Sequence, residues 1–231
     1  MDQLSGDLRT LLLSSGASLV GFGDLSAVGE GALGYPVGIS IAVAMDSDVL
    51  ASISPGPSPA YMAAYHTLNS RLDALDELAA AFLRERGFRA HAQTLANVTT
   101  GPDRRSVLPH KTVATRAGLG WIGKTALLVT EPYGPAVRIS SVLTDAPLEV
   151  AQPLNESHCG SCRACVDACP AGAANGESWA LGVDRNRFFD AGRCSAMISR
   201  RGEGFPSRNG ACGLCVHACP YAQSYINLSH L

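Results

Sequence analysis

The residues best suited to chemistry in this sequence are its eight cysteines, all of them in the last third of a 231-residue chain. The first four read Cys159-Gly-Ser-Cys162-Arg-Ala-Cys165-Val-Asp-Ala-Cys169-Pro170, a C-x2-C-x2-C-x3-C-P run. Gaps this short let three thiolates converge on one cuboidal [4Fe–4S] cluster from a single tight loop. The fourth is set apart by its longer spacer and the following proline, and in two-cluster proteins it serves the other cluster.

A second copy follows, Cys212-Gly-Leu-Cys215-Val-His-Ala-Cys219-Pro220, which aligns with Cys162 to Pro170 without a gap and marks an internal repeat. It lacks a first cysteine, since Asn209 stands where Cys159 would map, and Cys194 is the one cysteine left to replace it. The expected partition is one cluster on Cys159, Cys162, Cys165 and Cys219 and another on Cys194, Cys212, Cys215 and Cys169. Two other chemistries use such residues. Disulfides suit small oxidised domains, whereas this chain is long enough to build its own core. Structural zinc also uses C-x2-C pairs, but the x3-C-P ending, present twice, points to iron and sulfide.

The elements that must position these sulfurs come next. Hydrophobic residues make up 46% of the chain and charged residues 16%, an ordinary globular balance. The formal net charge of −2 predicts no strong attraction to nucleic acid or to a membrane surface. No apolar stretch is long enough to span a bilayer. Met1 to Gly16 reads as an amphipathic helix rather than a targeting segment. Clusters held by thiolates need a reducing compartment, so the expected location is the cytoplasm.

Residues 2–14 carry Leu4, Leu8, Leu11 and Leu12 on one helical face, with Gly16 as the stop. Ser18 to Gly23 and Pro36 to Met45 read as strands. Ser58 caps a long helix that starts at Pro59 and runs to about Arg86, its stripe including Tyr65, Leu68, Leu72, Leu75, Ala79 and Leu83. Tyr65 is expected in the core and His66 partly buried. Phe88 to Leu95 alternates like a strand, and His110 to Ala117 reads as a short helix. Ala126 to Thr130 and Ala136 to Thr144 read as two strands joined by a Pro-Tyr-Gly-Pro turn. Trp179 to Met197 is expected to be helical in part and to carry Cys194. The fold class is an α/β (α+β) N-terminal domain over 1–150, followed by a bacterial-ferredoxin-like double-cluster domain over 151–231.

Three stretches together resemble the epoxyqueuosine reductase family: HTLNSRLDALDELAAAFLRERG from His66, HKTVATRAGLGWIGKTALLV from His110, and the paired cysteine runs with Cys194 between them. The likeness covers roughly residues 60–225, and AGLGWIGK followed by the double cysteine pattern is its specific part. The resemblance implies a corrinoid-dependent oxidoreductase, with reductive dehalogenases as more distant relatives. Cobalamin would sit in the N-terminal domain, and electrons would reach its cobalt through the two [4Fe–4S] clusters. It also implies an electron donor of ferredoxin or flavodoxin type and a small-molecule substrate or a redox partner protein. The tRNA-modifying members carry a catalytic Asp upstream of AGLGW. Counting back without gaps reaches Arg104, so Asp103, one residue away, is the candidate. Those members also continue into a helical-repeat region used on tRNA, whereas this sequence ends at Leu231 with no basic stripe; a substrate other than tRNA is expected. No D-x-H-x-x-G motif is present, so a cobalamin would bind without a protein histidine on cobalt.

Other candidates have two readings each. Gly118, Gly120, Trp121, Gly123 and Lys124 either present backbone N–H groups to a cofactor edge or phosphate, or form a helix-to-strand turn with Trp121 and Ile122 packed inward. The glycine spacing is not that of a P-loop. His110 either donates a proton near neutral pH, its ordinary pKa being about 6.5, or simply starts a helix beside Lys111. His158 and His217 flank cluster cysteines and can tune a potential, while Arg163 and Asp167 read as surface charges. The rival to an enzyme is a non-enzymatic electron carrier or reductive activator for a partner. A flavin in place of the corrinoid is a third possibility.

Overall fold

The computed structural model describes residues 2–54, 56–201 and 212–229. Asn209, where the second run lacks its first cysteine, lies outside them. In chain order the elements are α1 (Gln3–Ser14), β1 (Leu19–Asp24), β2 (Val37–Ala44), α2 (Ser47–Ala51), α3 (Pro59–Arg84), β3 (Ala90–Ala92), α4 (His110–Arg116), β4 (Trp121–Ile122), β5 (Leu128–Val129), β6 (Val137–Thr144), α5 (Ala164–Asp167), α6 (Arg185–Phe188), α7 (Ala191–Arg201), α8 (Leu214–His217) and α9 (Pro220–Ser229). They form two compact units. One comprises Met1–Ala44, Leu68–Gly120 and Arg138–Leu154; the other comprises Met45–Thr67, Trp121–Val137 and Asn155–Leu231. Among the described residues no helix is long and apolar enough to cross a membrane.

The first unit is a mixed α/β layer around a sheet in the order β1-β2-β6-β3. The Asp2 carboxylate caps α1 by accepting the Ser5 N–H at 2.7 Å, and Gly16 at φ +100° ends the chain's first turn away from it. Leu8 and Leu12 of α1 join Leu72, Leu75 and Leu83 of α3 against Val20, Phe22, Ile39, Ile41 and Val142 of the sheet. Each such side chain, once buried, stabilises the fold by ~1.5–3 kcal/mol.

The other face of the β1–β2 hairpin is rich in glycine. Gly21 and Gly23 alternate with Val20 and Phe22, and Gly38 pairs with Gly23. A Cβ on Gly21 would lie 2.6 Å from the Ala117 carbonyl oxygen, one on Gly23 2.6 Å from the Ala117 nitrogen, and one on Gly38 2.6 Å from a Val113 methyl. The end of α4 therefore lies directly on the hairpin backbone, which is what glycine inside a strand permits.

Three local expectations change. The strand expected over Phe88 to Leu95 is confined to Ala90–Ala92; Gln93 N–H still donates to the Ser141 carbonyl of β6 at 3.0 Å, but by Leu95 the chain has turned away and donates to the Asp73 carboxylate at 2.9 Å. The two strands expected on either side of Pro132-Tyr-Gly-Pro135 do not form a hairpin. Leu128–Val129 pairs instead with Trp121–Ile122, while β6 enters the large sheet beside β2 and β3. Prolines at both ends of that turn remove ladder donors, and Thr130 and Gly134 close it on themselves. His66 is exposed on α3, and Tyr65 is half-buried rather than in the core.

The second unit holds all the cysteines. Its sequence repeat is a structural repeat: Val166 and Val216 donate to the carbonyls of Arg163 and Gly213 at 2.8 and 2.9 Å, and Cys169 and Cys219 donate to Val166 and Val216, both at 3.2 Å. The insert is helical in part, as α6 and α7, with Cys194 on α7. It packs Phe188 and Trp179 against Ile122 and Ala126.

Candidate metal centre

All eight cysteines are free thiols, and Cys162 is the exposed one. Cys159, Cys162, Cys165, Cys215 and Cys219 line one cavity of about 250 Å3. Among the described residues no three His, Cys, Asp or Glu side chains gather closely enough to share a single ion; the thiols surround a volume instead of a point.

Burial and neighbouring sulfurs raise three of the thiols. Burial first, then the charges of Cys159, Cys219 and Cys162, pushes Cys165 up to about 11. Burial likewise pushes Cys215 up to about 12, followed by Cys194, Cys165, Cys212 and Cys169. Cys219 is raised by burial and by Cys159 and Cys162, against backbone N–H groups of Tyr221 and Ala222 that favour its thiolate. Left to themselves these thiols stay protonated at neutral pH. A metal centre reverses that, because it binds thiolates and releases the protons.

Two side chains of the GLGWIGK stretch meet the first cysteine loop. Lys124 is only 4% exposed, and its ammonium donates to the carbonyls of Gly160 and Cys162, both at 2.8 Å. No carboxylate is among its partners in the described residues. Buried lysine is rare unless paired, and an uncompensated buried charge is costly. An anionic group in the cavity removes that cost, and an iron–sulfur cluster on four thiolates is such a group. The residues present therefore fit a cluster. Trp121, 1% exposed, donates its indole N–H to the Cys159 sulfur at 3.4 Å. Its ring stacks on His158 at 4.8 Å and meets Tyr221 edge-on at 5.3 Å. Gly123 sits beside them, where a Cβ would lie 2.8 Å from a Val129 methyl and 3.8 Å from the Cys159 sulfur.

The stretch is thus divided. Gly118, at φ +68°, is the stop of α4, and a Cβ there would lie 3.0 Å from the Gln152 carbonyl oxygen. Gly118 and Gly120 belong to the first unit, Trp121, Gly123 and Lys124 to the second. The helix-to-strand turn with Trp121 and Ile122 packed inward is present. The side chains of Trp121 and Lys124 meet the cysteine loop. Arg163 and Asp167 form an exposed pair at 3.6 Å. His217 contributes its carbonyl, which accepts from Gln223 at 2.6 Å.

In the first unit, His110 and Asp103 stand in different environments. The Ser141 hydroxyl donates its one proton to Gln93 Oε1 at 2.6 Å, so His110 Nδ1, 2.8 Å from the same oxygen, must be the protonated ring nitrogen. Burial, and then the nearby Arg138 charge, lowers the His110 pKa to about 4. It is a neutral imidazole near pH 7, which removes the ready proton that an unperturbed histidine would offer there. Asp103 is exposed in a tight turn, where it accepts the Arg105 N–H at 3.1 Å and pairs with the Arg105 guanidinium at 3.3 Å; Arg104 beside it has φ +61°.

Sequence reasoning missed Asp76. It is fully buried on α3, receives a hydrogen bond from the Ser140 hydroxyl, and its Oδ1 has no partner among the described residues. Burial raises its pKa to about 8, and Asp73 and Glu77 add to the rise. The signal was present: an acid inside the stripe of Leu72, Leu75, Ala79 and Leu83.

Comparison with known proteins adds the following. Residues 158–222 match the model of a 4Fe-4S double cluster binding domain. The chain is homologous to epoxyqueuosine reductases. It is 30% identical to the one from Pseudomonas aeruginosa over 188 residues, 74% of this chain and 46% of that protein. It is 34% identical to the one from Gloeobacter violaceus over 139 residues, 56% of this chain and 39% of that protein. The chain thus spans less than half the length of these relatives. Among solved structures, an epoxyqueuosine reductase bound to an epoxyqueuosine-modified tRNA stem loop superposes with a TM-score of 0.61 at 24% identity, over 96% of this chain and 66% of that one. A catabolic reductive dehalogenase superposes with a TM-score of 0.71 at 19% identity, over 97% of this chain and 33% of that one. At such identities the likeness carries the fold.

Proposed function

We propose that the protein is an iron–sulfur oxidoreductase whose residues 151–231 hold two [4Fe–4S] clusters and whose residues 1–150 form a cofactor domain. Cys159, Cys162, Cys165 and Cys219 would hold one cluster, and Cys169, Cys194, Cys212 and Cys215 the other. The observation that carries this reading is the buried Lys124 ammonium beside a cavity lined by five cysteines, a cation with no carboxylate partner among the described residues. Cys165 is influenced by Cys159, Cys219 and Cys162, as the first set requires, while Cys215 is influenced by Cys194, Cys212 and Cys169 of its own set and also by Cys165 of the other. Each bound cluster supplies one-electron chemistry.

The chain's own residues do the positioning. Two short helices, α5 and α8, present the thiols from one repeated backbone pattern. Lys124 ties the Cys159–Cys162 loop by two carbonyls, and Trp121 holds the Cys159 sulfur. The electrons would come from a donor of ferredoxin or flavodoxin type. Similarity to reductive dehalogenases, one of them solved with 3-bromo-4-hydroxybenzoic acid, supports a corrinoid as the acceptor and a small molecule as the final substrate. The net charge of −2 argues for a substrate other than tRNA.

A second reading, a non-enzymatic electron carrier, is favoured by one observation: the candidate proton donors are a neutral buried His110 and an exposed turn residue, Asp103. Protein purified without air and supplied with cobalamin distinguishes these. Iron and acid-labile sulfide in amounts for two clusters, with saturable cobalamin binding, are the expected result. Clusters without cobalamin binding would favour the carrier, and stoichiometric zinc without sulfide would sink both readings.

A further inference from the structure

We propose that Trp121 and Lys124 are potential-setting residues: they hold up the reduction potential of the cluster on Cys159, Cys162, Cys165 and Cys219 and so bias an electron shared by the pair toward that site. The inference rests on the ligand partition proposed above.

An added electron makes a thiolate-held cluster more negative. Groups that withdraw charge from the sulfurs, or place positive charge beside them in a dry setting, stabilise that state and raise the potential. Both kinds of group stand at the first site. The Trp121 N–H lies 3.4 Å from the Cys159 sulfur, and the indole cannot turn away, being buried with His158 stacked on its face and Tyr221 against its edge. Lys124 adds a full charge, pinned to the carbonyls of Gly160 and Cys162 inside the ligand loop. At the second site the Ala173 N–H, a neutral backbone donor, lies 3.4 Å from the Cys169 sulfur. The repeat gives both halves similar loops, but Trp121 and Lys124 come from outside the repeat and serve one half.

The electron accounting is simple. One electron from a ferredoxin- or flavodoxin-type donor enters the pair. When it passes from the second site to the first, the second is oxidised by one electron and the first reduced by one; no bond breaks and no proton moves.

The test is a dithionite redox titration of anaerobically reconstituted full-length protein, followed by electron paramagnetic resonance. The first-site signal is identified as the one that persists in Cys194→Ala. In Trp121→Phe, which keeps the buried ring and removes the N–H, the first-site midpoint should move to more negative potential while the second stays put. Lys124→Met should move the same midpoint in the same direction, and Lys124→Arg should leave it near the wild-type value. Midpoints unchanged in both Trp121→Phe and Lys124→Met, or equal shifts at both sites, would overturn the proposal. If Lys124→Met does not load the first cluster, Trp121→Phe decides alone. Failure of the wild-type protein to take up [4Fe–4S] clusters would refute the proposed function itself, whereas loaded clusters with unmoved midpoints refute only this inference.

Discussion

Replacing Asp76 by Asn should reverse the sign of its effect on stability between mildly acidic and mildly basic pH. The carboxyl group is fully buried on α3, and its folded pKa is raised to about 8 from an ordinary 3.8. Between those values the native state keeps a proton that the unfolded chain has released. The unfolded state therefore binds fewer protons, and stability falls as pH rises, by about 1.4 kcal/mol per pH unit. From about pH 5 to about pH 8 the loss comes to roughly 4 kcal/mol, and it levels off above the folded pKa. Asn does not titrate. Its amide N–H would meet the place where Asp76 Oδ1 has no described partner, at a pH-independent cost of about 1–3 kcal/mol. Asp76→Asn should therefore be the less stable protein near about pH 4 and the more stable one near about pH 8. Hydrogen exchange of the peptide covering β6, converted to opening free energies, keeps the readout in the first unit. His110 is common to both proteins and largely cancels in the difference. A difference that stays constant from about pH 5 to about pH 8 would mean that Asp76 is ionised and solvated in the folded protein, and the argument from burial would fail.

Three further outcomes follow from the same contacts. His110, lowered to about 4 by burial and Arg138, works in the other direction: the unfolded chain takes up a proton below about 6.5 that the native state refuses, so stability falls by about 3 kcal/mol as pH drops toward 4. His110→Gln should flatten that part of the same exchange profile. Cys194→Ala should remove or distort the second cluster and leave the first intact, read as a loss of half the iron and sulfide with one resonance signal preserved; full occupancy of both would break the ligand partition. Gly23→Val would drive a side chain into the Arg116–Ala117 backbone, where a Cβ already stands 2.6 Å from Ala117 N, and should cost about 1–3 kcal/mol by overpacking. Unchanged exchange in α4 and β1 would show that the helix does not rest on the hairpin as described.

What the sequence revealed and what it concealed divide along physical lines. The cysteine repeat was legible because cluster ligation is local: three thiols from one loop need fixed short spacings, and the second run repeats the last two spacings of the first. The long helix was legible because Leu72, Leu75, Ala79 and Leu83 recur at its period and Ser58 caps it, donor Tyr61 N–H at 3.0 Å. The strand pairing of Leu128–Val129 was not, because a two-residue strand is chosen by its partner, Trp121–Ile122, and not by propensity. Asp76 was half legible: an acid in an apolar stripe announces a misfit, but only the fold shows that Ser140 is its partner.

Lys124 is the instructive case. In sequence it closes a glycine-rich stretch, and the habit of reading such stretches is to assign every member to one ligand. Yet the segment changes unit between Gly120 and Trp121. The glycine with positive φ ends a helix, while the tryptophan and lysine a few residues later meet a loop far downstream, Trp121 reaching Cys159 38 positions on and Lys124 reaching Gly160 36 positions on. Spacing describes what neighbours along the chain can do together; it says nothing about which distant carbonyl an ammonium will meet. What could have been inferred is the converse. A lysine flanked by apolar and small residues (Trp121, Ile122, Gly123, Thr125, Ala126) has little polar sequence around it to keep it in water. Buried, it must find oxygens and an opposite charge. The cysteine loops supply both, the first through their carbonyls and the second once their thiols have given up protons to a metal.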